Sequence, residues 1–114
     1  MAAVLATYVQ RGEAIDYPVA AAGTKIEANE ILVVGTKIGV AGCDIAPGET
    51  GSVHVEGVFA MPLKASTSVN LGAAVYWDAT NKEITTTSTN NTLAGYAAAA
   101  AASGDETVLV KINA

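Results

Sequence analysis

Residues 52–61 read SVHVEGVFAM, and this stretch decides the fold class. Val53, Val55, Phe59 and Met61 fall on one side of an extended chain; Ser52, His54 and Glu56 fall on the other. Alternation with a period of two is the mark of a strand with one buried face. The spacing predicts one continuous strand from Ser52 to Met61, with the Val53 side in the core.

The same pattern extends outward in both directions. Just upstream, Ala46–Glu49 contains Pro47-Gly48. Proline presets φ and glycine accepts a positive φ, so a tight turn is expected there. Further upstream, Gly12–Val19 alternates Ile15, Tyr17 and Val19 with Ala14, Asp16 and Pro18. Pro18 places that strand at a sheet edge or marks its end. Ile31–Val34 and Lys37–Ala41 are short strand candidates on either side of Gly35. Downstream, Ala73–Asp78 sets Val75 and Trp77 opposite Tyr76. A polar turn at Asp78–Lys82, a Thr-rich strand at Glu83–Thr87 and a turn at Ser88–Asn91 follow. The last strand is Glu106–Ile112, with Val108, Val110 and Ile112 on one face. Many short strands punctuated by turns predict an all-β fold, a single small β-barrel or sandwich domain of antiparallel strands spanning residues 1–114.

Ala97–Ala102 is the one segment that propensity alone would make a helix. An internal comparison argues for a strand end plus a turn. Gly39–Thr50 lies over Gly95–Glu106 without a gap, matching Gly39 with Gly95, Ala41 with Ala97, Ala46 with Ala102, Gly48 with Gly104 and Glu49 with Asp105. A valine-bearing strand follows each copy. A chance likeness between Ala- and Gly-rich segments is the rival explanation.

Composition narrows the function classes. The chain has 114 residues, 51% of them hydrophobic, and a formal net charge of −5. Its six basic residues, Arg11, Lys25, Lys37, Lys64, Lys82 and Lys111, are scattered, so neither nucleic acid nor an anionic membrane is an expected partner. The apolar start, Met1–Ala6, is too short for a secretion signal and lacks a basic segment before it. A soluble protein of the cytoplasm is expected.

Chemistry is sparse. His54 is the only histidine and stands two residues from Glu56, on what reads as a solvated strand face. Cys43 is the only cysteine, so no internal disulfide can form, and its pattern reads as inward-pointing packing. The two could meet across the Pro47-Gly48 hairpin as a thiol and a base, which is the one arrangement compatible with nucleophilic catalysis. Gly35-Thr36-Lys37 lacks the spacing and the following helix of a phosphate loop. The expectation is no catalytic residue, no cofactor and no metal site.

Several segments then fall into a familiar order: Ile38–Ala41, Pro47–Glu49, Val53–Pro62, Leu71–Asp78 (LGAAVYWD), Ile84–Thr87, Leu93–Tyr96 and Val108–Ile112. Each is weak alone. In this order and spacing they resemble the phage capsid cement, or head decoration, proteins, small phage- and prophage-encoded chains. The resemblance implies a β-barrel-like domain that binds the outer surface of a phage head and associates with the major capsid protein. It also implies self-association as a homotrimer and a place in the virion, and it carries no active site with it.

Two elements are the expected contacts. One is an extended, apolar N-terminal arm over residues 1–8, with Val4, Leu5 and Tyr8 as its anchors. It is either loose in the free protein and ordered on a partner, a frayed end, or a first strand. The other is Tyr76, provided it is exposed. The competing readings are a ligand-binding β-barrel, which requires Trp77 to be exposed in a groove, and another head or tail component.

Overall fold

The computed structural model describes residues 5–114 and is all-β, with no helix among them. Its strands are β1 (Ala14–Pro18), β2 (Ile31–Val34), β3 (Lys37–Ala41), β4 (Thr50–His54), β5 (Val58–Pro62), β6 (Ala74–Asp78), β7 (Glu83–Thr85), β8 (Thr92–Ala97) and β9 (Thr107–Ile112). They form two antiparallel sheets, ordered β1-β4-β3-β2 and β5-β9-β8-β6-β7. β1 is an edge strand and Pro18 ends it, as the missing N–H of proline requires.

The stretch that announced the fold departs from expectation. Ser52–Met61 is not one strand. β4 ends at His54 in the first sheet, and β5 begins at Val58 in the second. Gly57, at φ 130°, makes the corner between them. The alternation survives the corner, so Val53 and Met61 both point into cores, but the cores lie under different sheets. The Thr-rich strand is also shorter than expected and stops at Thr85.

The two sheets are copies of one another. In each, the first strand pairs with the fourth, the fourth with the third and the third with the second; β7 is an addition at the edge of the second copy. The loop hydrogen bonds repeat as well. Ala41 N–H donates to Glu30 O at 2.9 Å and Ala97 N–H to Ala73 O at 2.9 Å. Ile26 and Ile45 exchange two backbone bonds, as do Val69 and Ala101. Both turns close alike, with Glu49 N–H on Ala46 O and Asp105 N–H on Ala102 O. The Glu49 and Asp105 carboxylates then accept the N–H of Ala46 and Ala102. Gly48 and Gly104 both take positive φ. The duplication seen in the sequence is therefore structural, and the alanine run is the end of β8 plus a bridge and a turn.

The main core joins the sheets. Met61, Val75, Trp77, Ile84, Val108, Val110 and Ile112 line the inner face of the second sheet, and Ile38 and Val40 of β3 pack onto it. A smaller cluster, Val19, Ile45 and Val53, sits under the other face of the first sheet. Asn113, just after β9, ties the two together through its side chain. Its Nδ2 donates to Ile38 O and Val55 O, both at 2.8 Å, and its Oδ1 accepts Ile38 N–H at 3.1 Å.

The β6–β7 hairpin is held by Asp78. Its carboxylate accepts the backbone N–H of Asn81 at 3.1 Å, the Asn81 side-chain amide at 2.8 Å and the Thr80 N–H at 3.0 Å. These bonds, the Asn81 N–H first, hold its carboxyl below the ordinary value of 3.8. A lowered folded-state pKa contributes stability above the unfolded value and loses it as pH falls through the folded one. Acidification below about pH 4 is thus expected to loosen this hairpin. Amide exchange at Thr80 and Asn81 measures it, and Asp78→Ala should show the same fast exchange at neutral pH.

Candidate functional site

The expected contact residues occupy two separate surfaces. Residues 5–11 run into β1 without secondary structure, and every one of them is exposed. Leu5, Tyr8 and Val9 are 82%, 81% and 84% exposed. Water around three large apolar side chains is unfavourable by about 1.5–3 kcal/mol each relative to full burial. None of the three enters either core. Val4 lies outside the described residues.

The second surface is the outer face of the five-stranded sheet. Register sets it out: Val58 opposite Lys111, Ala60 opposite Leu109, Tyr96 opposite Lys111 and Tyr76 opposite Leu93. Val58, Leu93 and Leu109 are exposed, and Tyr76 is half-buried. Lys111, the cation among these residues, lies with Nζ 5.9 Å from the Tyr96 ring centroid. Sequence reasoning found Tyr76 here but missed Val58, Leu93 and Leu109. For Val58 and Leu109 the signal was available in the strand alternation, which sets them opposite core residues; Leu93 lies beside the register shift in β8, where alternation breaks.

Trp77 is 5% exposed and belongs to the core. It touches a groove of about 340 Å3 between the sheets, also lined by Ile31, Val40, Phe59 and Met61. The condition set for a sugar- or base-stacking platform, an exposed Trp77, is not met.

His54 and Cys43 do not come together. Cys43 is exposed rather than inward-pointing. Its Sγ stands over Gly51, 3.2 Å from where a β-carbon would be, on the face of β4 opposite to His54. Gly42 still carries the ladder one step past β3, its N–H donating to Ser52 O at 2.9 Å, so Cys43 keeps the parity of Ala41 on the Val53 face but lies beyond the strand, where it is exposed. His54 instead packs against Phe59 across the sheet corner, with ring centroids 6.1 Å apart. It lines a shallow hollow with Glu13, Glu56 and Gly57. Among the described residues no group of three His, Cys, Asp or Glu side chains converges as a metal site. Among the described residues no helix is long and apolar enough to cross a membrane.

Comparison with known proteins adds one finding. A family model described as phage cement protein matches residues 9–112, from just after the arm to the end of β9. No curated protein and no solved structure matches the chain.

Proposed function

The chain belongs to the phage cement protein family, and from that premise we propose that it is a non-enzymatic structural protein of the virion, bound to the outer surface of a phage head. The observation that carries this reading is a family match running through both sheets. Its partner is the major capsid protein, and it self-associates as a homotrimer that bridges neighbouring capsid subunits. Apolar burial and strand-edge pairing, multiplied over many sites, supply the free energy. A multivalent assembly gains further through effective concentration.

The arm is the capsid-binding element of this proposal. It precedes β1, an edge strand, so it can add to an exposed strand of a neighbour while its Leu5, Tyr8 and Val9 side chains find pockets. Val4 and Tyr76 are the remaining contact residues. Deleting residues 2–8 is expected to weaken head binding by on the order of 100-fold, equivalent to about 2.7 kcal/mol. The melting temperature should stay the same, because none of the described arm residues enters either core. Sedimentation of the protein with expanded heads measures binding, and thermal unfolding checks the fold. Binding unchanged by the deletion would remove the arm from the mechanism.

The test of the function itself is copy number. In purified virions the protein should stand near one to one with the major capsid protein. A few copies per particle would make it a tail or connector component. Absence from the virion would overturn the reading.

A further inference from the structure

The duplicated sheets are stacked head to tail, and the stack is unfinished at both ends. Each sheet has a front face, carrying Val53 in the first and its counterpart Val110 in the second. Each has a back face, carrying His54 and its counterpart Lys111. Within the chain, the back of the first sheet, through Ile31, Ile38 and Val40, covers the front of the second. Among the described residues two faces remain uncovered: the front of the first sheet and the back of the second.

Both bear the marks of a missing neighbour. On the front of the first sheet, Tyr17, Ile26, Leu32 and Val55 are only half-buried around Val19, Ile45 and Val53. Their counterparts in the second sheet, Met61, Val69, Val75 and Ile112, are buried to between 0% and 4% exposure. The difference is the cover that the first sheet supplies to the second and that none of the described residues supplies to the first. On the back faces the substitution runs the other way. Asp16 and Ser52 of the first sheet correspond to Ala60 and Leu109 of the second, where solvent would favour polar residues. Val40, which fills the internal interface, corresponds to Tyr96.

We propose that a second copy of this chain occupies these faces, the back of its second sheet covering the front of the first sheet as the two sheets already pack within one chain. The contact is heterologous, joining two different faces, so successive copies close into a ring when the rotation permits. This rests on the self-association in the functional reading but not on binding to a head, and it is tested with the full chain alone.

The experiment is sedimentation of the purified protein and of two variants, Tyr96→Glu on the back face, at the position matching Val40, and Tyr17→Arg on the front face. Far-ultraviolet circular dichroism checks folding, and Val55→Lys replaces Tyr17→Arg if that variant does not fold. The wild type should sediment as an assembly. Each variant alone should be a folded monomer, its association weakened by on the order of 30-fold or more. An equimolar mixture of the two should form a two-chain species, because each mixed pair retains one intact interface. A wild type that stays monomeric overturns this pairing and the homotrimer together, while head binding is measured separately. A wild type that assembles, with variants that assemble equally well or a mixture that stays monomeric, overturns only the head-to-tail pairing.

Discussion

Replacing Gly95 by alanine is expected to lower the melting temperature by about 15 °C or more, the largest effect of any single methyl addition in this chain. Gly95 takes φ 145°, which an L side chain rarely adopts, and a β-carbon there would run into the carbonyl oxygen of Lys111 on the neighbouring strand. That oxygen belongs to the backbone of β9, a strand with neighbours on both sides, so it cannot yield without disturbing the ladder. Backbone strain and the steric displacement together cost about 3–5 kcal/mol, in the range reserved for special φ/ψ positions and overpacked cores. Gly39, the counterpart in the first sheet, meets Val53 Cγ1 and the carbonyl oxygen of His54, the residue equivalent to Lys111. The close approach is a property of the repeat. Gly35 separates strain from collision, since it has φ 62° but open space around it. Gly35→Ala should cost only about 1–2 kcal/mol. Gly12→Ala, with neither strain nor neighbour, should cost nothing measurable. Thermal unfolding of the three variants checks the order. Gly95→Ala melting within a few degrees of the wild type would mean that β8 and β9 do not approach as described.

Much of this architecture was legible because glycine and alternation leave marks on sequence. Gly39 and Gly95 announced the duplication: at both, a β-carbon would collide with the adjoining strand, with Val53 Cγ1 at Gly39 and with the Lys111 carbonyl oxygen at Gly95. Val108, Val110 and Ile112 were placed in the core by parity alone, and all are buried. Parity also misled. A bend at Gly57 that turns the chain from one sheet to the other without adding or removing a residue leaves the alternation intact, so Ser52–Met61 read as one strand. Cys43 was assigned inward by the same rule, which gives its face correctly but not its exposure beyond the end of β3. β8 was blurred differently. The register shifts opposite Val75 and Tyr76, so Ala94 and Gly95 are both buried and break the period of two. On the back face of the second sheet, alternation sets Val58 and Leu109 opposite core residues, but only register gathers them with Leu93, Tyr76 and Tyr96 into one face. The family, by contrast, was carried by order and spacing across the whole chain, which no local irregularity erases.

Asn113 is the residue no pattern would have singled out, and its replacement is the second large effect expected. It stands near the end of the described chain at φ 58°, a conformation asparagine tolerates better than most residues. Its own N–H bonds to Ala94 O at 2.7 Å and fixes the side chain between the sheets. There the amide serves Ile38 as a strand would, accepting its N–H and donating to its carbonyl, while the second amide hydrogen reaches Val55 O at the sheet corner. Asn113→Ala removes all three bonds and leaves partly buried backbone groups unpaired, which should cost about 3 kcal/mol and roughly 10–20 °C in melting temperature. Asn113→Gly distinguishes the bonds from the backbone conformation. Glycine takes φ 58° freely, so any loss it shows, expected at about 2 kcal/mol, belongs to the side chain. Asn113→Asp keeps the acceptor for Ile38 N–H but turns an anionic oxygen toward two carbonyls. That environment raises the folded-state pKa of the new carboxyl above its unfolded value. The variant should therefore be least impaired below about pH 4 and lose stability as pH rises through the folded pKa, the reverse of the trend expected at Asp78. Chemical denaturation of the three variants across that range measures the difference. A glycine variant as stable as the wild type would show that the sheets hold their angle by apolar packing alone, and that Ile38 and Val40 fix the position of the first sheet on the second without the amide.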